Sequence, residues 1–326
     1  MVRAVLLVAL AAMAGPLLSQ PARVPLIGYL SPVVPQNNTD WRLEAFLQGM
    51  REQGYEEGRD YRLAVRWGEG KLDRMPSLAK ELVDMKVAVL VAASSPSYVA
   101  ALNVTKTIPI VAPVMSDPVA DGFVASLARP GGNLTGISLM APELGGKRLA
   151  LLKQLLPRQK PSRAVAVIWN PAYKGMHARF RETNSVAPAV GVDIRSLEVR
   201  DPREMEAAFD AVTKSRPDAM LLLADPLTNS MRARIVEFAR ENRLPAIYET
   251  REFVDAGGLI SYGPNIEAQY RRSAYYVVRI LKGAKPAEMP IEQPVRIELI
   301  VNLRTARALG LTVPQQILAI SDQVIE

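Results

Sequence analysis

Five apolar runs of this chain finish in a small polar residue followed by proline: Ser31-Pro32, Ser95-Pro96, Asp117-Pro118, Asn170-Pro171 and Asp225-Pro226. Ser, Asn and Asp cap helix N-termini, and Pro suits the first helical position, so each pair reads as the end of a strand and the start of a helix. The same positions can do chemistry. Free N–H groups and the positive end of a helix attract a carboxylate or phosphate, and hydroxyl and carboxylate side chains beside them can bond a ligand's polar groups. Both readings, cap and contact, fit one residue at once. Covalent chemistry is poorly provided for: there is no cysteine and a single histidine, His177, in a polar helical stretch that reads as surface. Thiolate and His-rich metal sites are excluded, as is a Ser-His-Asp triad built on any other histidine. Gly131-Gly132 and Gly257-Gly258 read as turns and match neither a dinucleotide fingerprint nor a P-loop. Carboxylate pairs such as Glu56-Glu57 fall in charged turns. The expectation is no catalytic residue, no metal and no cofactor.

The elements that must position these caps follow from the hydrophobic pattern. Strands are expected at 24–30, 61–67, 87–92 and 108–114, and a second series at 163–169, 192–199, 218–224 and 245–248. Asp40 should cap a helix whose Leu43, Phe46, Leu47 and Met50 form one apolar stripe that stops at Gly54. Further helices are expected at 74–85, 202–214 and 228–242. Strands alternating with helices of roughly 10–15 residues mean βαβ units and parallel sheets. Two such series predict an α/β fold with two doubly wound, Rossmann-like lobes, and the length of 326 residues suits two domains. In open parallel sheets ligands bind beyond the carboxyl ends of the strands. If the lobes face each other, the polar caps line one cleft.

The N-terminus reads as an address: a basic Met1-Val2-Arg3, an apolar run from Ala4 to Ala14, then small residues up to Ala22. That is the layout of a signal peptide over residues 1–22, with cleavage after Ala14 or near Ala22. The run is shorter than a membrane span needs, so the expected product is exported and periplasmic, and without cysteine it carries no lipid anchor. A formal net charge of +7 raises nucleic acid as a partner. The richest basic stretch, 232–243, is interleaved with Glu237 and Glu241 and reads as a solvated helix face, and aromatic residues do not alternate with it. No nucleic-acid partner is expected.

Several longer motifs resemble one family. They are Ile108-Pro109-Ile110-Val111 leading to Asp117-Pro118-Val119, the run Ser126-Leu127-Ala128-Arg129-Pro130-Gly131-Gly132-Asn133-Leu134-Thr135-Gly136, and Gly257-Gly258-Leu259-Ile260-Ser261-Tyr262-Gly263. Leu281 to Pro286, Gln293-Pro294, Asn302-Leu303, Ala308 to Pro314 and Val324-Ile325-Glu326 continue the series. Together they resemble the ABC-transporter substrate-binding proteins of the tryptophan/tyrosine-transport type, over essentially everything after residue 22. The resemblance implies a type I periplasmic-binding-protein fold with lobes at 23–138 plus 262–296 and at 139–261 plus 297–326. Three hinge crossings are implied, near 136–141, 258–263 and 294–299. It implies a monomer that captures a small solute and hands it to an ABC permease with a cytoplasmic ATPase. On that fold the strand tips expected to face the ligand are Ser31, Ser94, Ser95, Ser116 and Asp117 from the first lobe and Asn170, Tyr173, Asp225 and Tyr248 from the second, with Tyr262 beside a hinge. Asp117 and Tyr262 lie inside the quoted motifs, and the others are chosen by their place at strand ends. For an amino acid, Ser94, Ser95 or Ser116 would hold the carboxylate, Asp117 or Asp225 the ammonium group, and tyrosines would stack on an aromatic side chain. A sensor that presents its solute to a receptor uses the same lobes. A two-lobed glycosyltransferase would need a nucleotide site or an acid/base pair, and a repressor of this fold would need DNA-binding helices where the leader stands.

Overall fold

The computed structural model describes residues 24–33, 35, 40–139, 144–156, 163–172, 174–294 and 296–326, with the backbone alone at Lys174. The expected leader, residues 1–22, lies outside these, as does Tyr173.

Two parallel sheets organise the chain. The first has five strands, β1 (Leu26–Ser31), β2 (Arg62–Trp67), β3 (Val89–Ala92), β4 (Ile110–Met115) and β5 (Leu134–Ser138), in the order β2-β1-β3-β4-β5. The second has seven: β6 (Arg163–Trp169), β7 (Val192–Glu198), β8 (Ala219–Leu222), β9 (Ala246–Tyr248), β10 (Ile260–Pro264), β11 (Ile297–Asn302) and β12 (Gln323–Ile325). Their order is β12-β11-β10-β9-β8-β6-β7, with β10 and β11 antiparallel and the other pairs parallel. The helices are α1 (Trp41–Glu52), α2 (Met75–Asp84), α3 (Ser95–Val104), α4 (Leu144–Leu155), α5 (Lys174–Val190) and α6 (Pro202–Ser215). They continue with α7 (Pro226–Ser230), α8 (Arg232–Glu241), α9 (Arg251–Asp255), α10 (Ile266–Leu281), α11 (Leu303–Ala308) and α12 (Gln315–Ala319).

Strand alternation sends neighbouring side chains to opposite faces, and each sheet is covered on both. In the first, Ile27, Tyr29, Val89 and Val91 pack on Phe46, Met50, Tyr270 and Val277 of α1 and α10, while Leu30, Leu90, Ala92 and Ile110 pack on Leu78, Leu82 and Tyr98 of α2 and α3. In the second, Val165, Val167, Leu221 and Ile247 face Leu149 and Leu152 of α4, and Ala166, Ile168, Met220 and Leu222 face Phe209 and Phe238 of α6 and α8. Asp40 caps α1 as its spacing predicts, accepting from the Arg42 N–H. The helix expected at 228–242 is two helices. The Asp225–Thr228 capping box starts α7 at Pro226, and Met231 (φ −97°, ψ 9°) separates it from α8.

The chain passes from the first sheet to the second between β5 and α4. It returns between β10 and α10, because α10 packs on the first sheet, and passes over again between Glu292, bridged to Ile137 of β5, and β11. The boundary expected at 261–262 falls inside β10, which pairs with β11 in the second sheet as far as Pro264.

Candidate ligand-binding site

The carboxyl ends of the two sheets enclose a cleft of about 1000 Å³. Sheet order fixes what each flank presents. From the first sheet, β1, β3 and β4 lie side by side and bring Ser31, then Ser94 and Ser95, then Ser116 and Asp117 to the cleft. From the second, β9, β8 and β6 bring Glu249, Thr250 and Glu252, then Asp225, then Asn170. The lobes touch at one flank, where the Gly175 N–H donates to Asp121 Oδ1 at 2.8 Å.

Ser31 is fully buried, and its hydroxyl has no hydrogen-bond partner among the described residues. The Ala93 N–H donates to the Leu30 carbonyl, so the end of β1 lies against the segment that enters α3. There Ser94, and not the Ser95 of the Ser-Pro pair, is the N-cap, and its hydroxyl makes no capping bond. It lies 3.2 Å from Ser97 Oγ, while Ser95 Oγ accepts from the Tyr98 hydroxyl at 3.0 Å. A set of hydroxyls at the start of a ten-residue helix is thus free of capping duty and turned to the cleft. Asp117 caps a turn instead, accepting from the Ala120 N–H at 2.9 Å.

Across the cleft Asp225 is 6% exposed. One carboxylate oxygen accepts from the Thr228 N–H at 2.8 Å and the other from Asn170 Nδ2 at 2.6 Å. Burial is the largest influence on it and raises its carboxyl above the ordinary carboxylate range, against the opposing hydrogen bonds from Thr228 and Asn170. No cation lies within ion-pair distance of it among the described residues, although its charge is felt by Arg179 behind it. Behind it sits a buried cluster that the sequence did not announce. Glu249 takes Arg148 Nη1 on one oxygen at 2.6 Å and Arg179 Nη2 on the other. It also accepts the Ala224 N–H at 2.7 Å, immediately before Asp225. Arg148 Nε donates to the Tyr262 carbonyl at 2.7 Å, tying α4 to β10 where the chain is about to cross. Burial, the largest cause, pushes the Arg148 guanidinium down to about 10 and that of Arg179 down to about 9, so both stay charged at neutral pH.

Seven of the ten expected residues line the cleft: Ser31, Ser94, Ser95, Ser116, Asp117, Asn170 and Asp225. Tyr248 and Tyr262 do not. Tyr248 is fully buried and stacks on Phe253 at 4.9 Å, because the last residue of β9 still points into the core, and the lining begins with the next residue, Glu249. Tyr262 packs against the α4-side core of the second sheet and offers only its carbonyl, to Arg148. His177 is half-buried rather than at the surface, its Nε2 2.9 Å from the Pro171 carbonyl and its ring edge-on to Trp169. Trp41 and Arg42 were missed as well. Arg42 stacks 4.4 Å from the Trp41 ring and pairs with Asp40 at 3.2 Å, forming the α1 wall of the cleft.

Two α/β lobes, three chain crossings and a cleft to which opposed strand ends bring polar caps define a two-lobed solute-binding protein of the type I periplasmic-binding-protein fold. The chain belongs to the ABC transporter substrate-binding protein family, whose model matches residues 31–325. It is 26% identical over 282 residues to a tyrosine-binding protein of Clostridioides difficile (strain R20291), spanning 86% of this chain and 80% of that one. Its fold is similar to that of an ABC domain from Streptococcus pneumonia solved in complex with L-Trp, with a TM-score of 0.84, 24% identity, and coverage of 92% of this chain and 99% of that one. It is also similar to a ligand-free, open substrate-binding protein with adhesive properties from Clostridium difficile, with a TM-score of 0.69, 25% identity, and coverage of 93% of this chain and 99% of that one.

Proposed function

We propose that this chain is the exported solute-binding component of an ABC uptake transporter and that its solute is an amino acid. The observation that carries the reading is the opposition across one cleft of the unpartnered Ser31 hydroxyl and the Ser94 hydroxyl that makes no capping bond, beside the α3 N-terminus, and the Asp225 carboxyl, which has no cation within ion-pair distance among the described residues. A carboxylate suits the first and an ammonium group the second, and an amino acid carries both on one carbon. The tyrosine-binding relative supports this choice of solute. A solute held by both lobes makes more contacts in the closed state than in the open one, so it shifts the equilibrium towards closure, the form a permease can distinguish. The residues 1–22 serve as the export signal in this reading, and the permease and its ATPase are the partners.

The test is thermal unfolding of the purified protein, freed of copurified ligand, against the twenty amino acids and a set of other small carboxylates. Binding to the folded state alone adds RT ln(1 + [L]/Kd), about 2.7 kcal/mol at a hundredfold excess over Kd. An upward shift with one or a few amino acids is expected. No shift with any of them would remove the amino-acid reading and leave the family standing.

A further inference from the structure

The β9 flank of the cleft carries two buried polar atoms that no described residue bonds. Thr250 is 8% exposed and lines the cleft, yet its hydroxyl is buried without a hydrogen-bond partner among the described residues and makes no capping bond. Glu252, two residues on, also lines the cleft, and its Oε2 is buried and unpartnered. A buried acceptor left unmade is costly, so native proteins keep few of them and tend to place them where a ligand completes the bond. The available cation opposite is already held: Arg42 feels the Glu252 charge, but its guanidinium bonds Asp40 and lies over the Trp41 ring. Sheet order puts β9 beside β8, so this pair of acceptors is one strand away from Asp225, and the Glu252 charge is felt by Arg42 and Tyr270, which also line the cleft. A solute anchored by its carboxylate and ammonium groups between α3 and Asp225 has this flank open to its side chain.

We propose that Thr250 and Glu252 read the end of the solute's side chain and select one that terminates in a hydrogen-bond donor: a phenol hydroxyl, an indole N–H or an ammonium group. The inference rests on the amino-acid reading above and narrows it. A site built to bond a donor discriminates against the analogue that lacks it, because the acceptors are then buried unmet, whereas a plain apolar pocket barely separates the two.

The experiment is isothermal titration of the full-length mature protein with three matched pairs: tyrosine and phenylalanine, tryptophan and 1-methyltryptophan, lysine and norleucine. The pair that binds identifies which donor the flank takes. The expected result is a preference of about 10- to 100-fold for the donor-bearing member. Thr250→Val combined with Glu252→Met should bring that ratio towards one. The double variant's circular dichroism and unfolding temperature show that the fold persists. Equal affinity within every pair that binds would overturn the inference while leaving the amino-acid reading intact, and so would a ratio that the double variant does not change. Absence of binding by any amino acid would instead strike the reading itself, and this inference with it.

Discussion

Asp225 carries the sharpest expectation at the scale of single residues. Its carboxyl is raised in the folded, ligand-free protein chiefly by burial, so the folded state favours the protonated form. The sign follows: this contribution to stability is present below the unfolded carboxylate pKa and is lost as pH rises through the raised folded pKa. A bound ammonium group needs the ionised form, so solute affinity should fall as pH is lowered through that same raised value. Asp225→Asn keeps a good N-cap but removes the charge. It should weaken amino-acid binding about 10- to 100-fold near neutral pH and flatten the pH dependence, both read by titration calorimetry. Glu249 makes a different prediction. With it as the shared partner of the buried Arg148 and the half-buried Arg179, Glu249→Gln should cost about 3 kcal/mol in urea unfolding even without solute, because Glu182 and Asp225 are then the only carboxylates acting on the two cations among those named beside them. Half of this site was legible in the sequence. Ser31, Asn170 and Asp225 announced themselves as polar residues before proline at strand ends, and each reaches the cleft. Glu249, Thr250 and Glu252 were missed because no proline follows β9, and a one-residue error at a strand end turns a side chain from cleft to core, as Tyr248 shows. Arg148 and Arg179 lie on helices far from Glu249 in sequence, and nothing local marks such a pairing.

Among the elements, α1 and α10 approach each other closely. A Cβ at Gly49 of α1 would run into the backbone carbonyl of Arg271 in α10, which cannot yield as a side-chain tip could. Gly49→Ala should therefore destabilise the protein by about 1–3 kcal/mol despite alanine's better helix propensity, because overpacking outweighs it. Gly132, where an added Cβ would meet nothing within 4 Å beyond its chain neighbours, is the control: Gly132→Ala should leave the unfolding temperature nearly unchanged. The central strands β1, β3, β6 and β8 and the helices α1, α2 and α6 were readable, since each shows a buried apolar run or a clear stripe bounded by caps. The pieces at and after the second crossing were not. β10 and β11 contain Tyr262-Gly263-Pro264 and Glu298, which break the apolar run, and their pairing is antiparallel, outside the βαβ rule that located the rest. The split between α7 and α8 was hidden because Met231 looks like any helical residue and only the capping box upstream moves the first helix forward.

At the scale of the whole molecule, solute-linked stabilisation belongs to both lobes at once, because the expected contacts come from each. The crossings make the lobes interdependent in another way. The first sheet is complete by Ser138, but one face of it waits for α10, whose Tyr270, Ala274 and Val277 close the core over Tyr29 and Val91. The second sheet likewise waits for β11 and β12 at the far end of the chain. On a ribosome, which adds roughly 5–20 residues per second, β1 emerges on the order of tens of seconds before the helix that buries it. Neither lobe can finish folding as a nascent domain, so the two cores consolidate together, only when synthesis is nearly over. Completion of both cores is thus deferred to the last elements of the chain, the condition in which a polypeptide can still be threaded through a narrow channel.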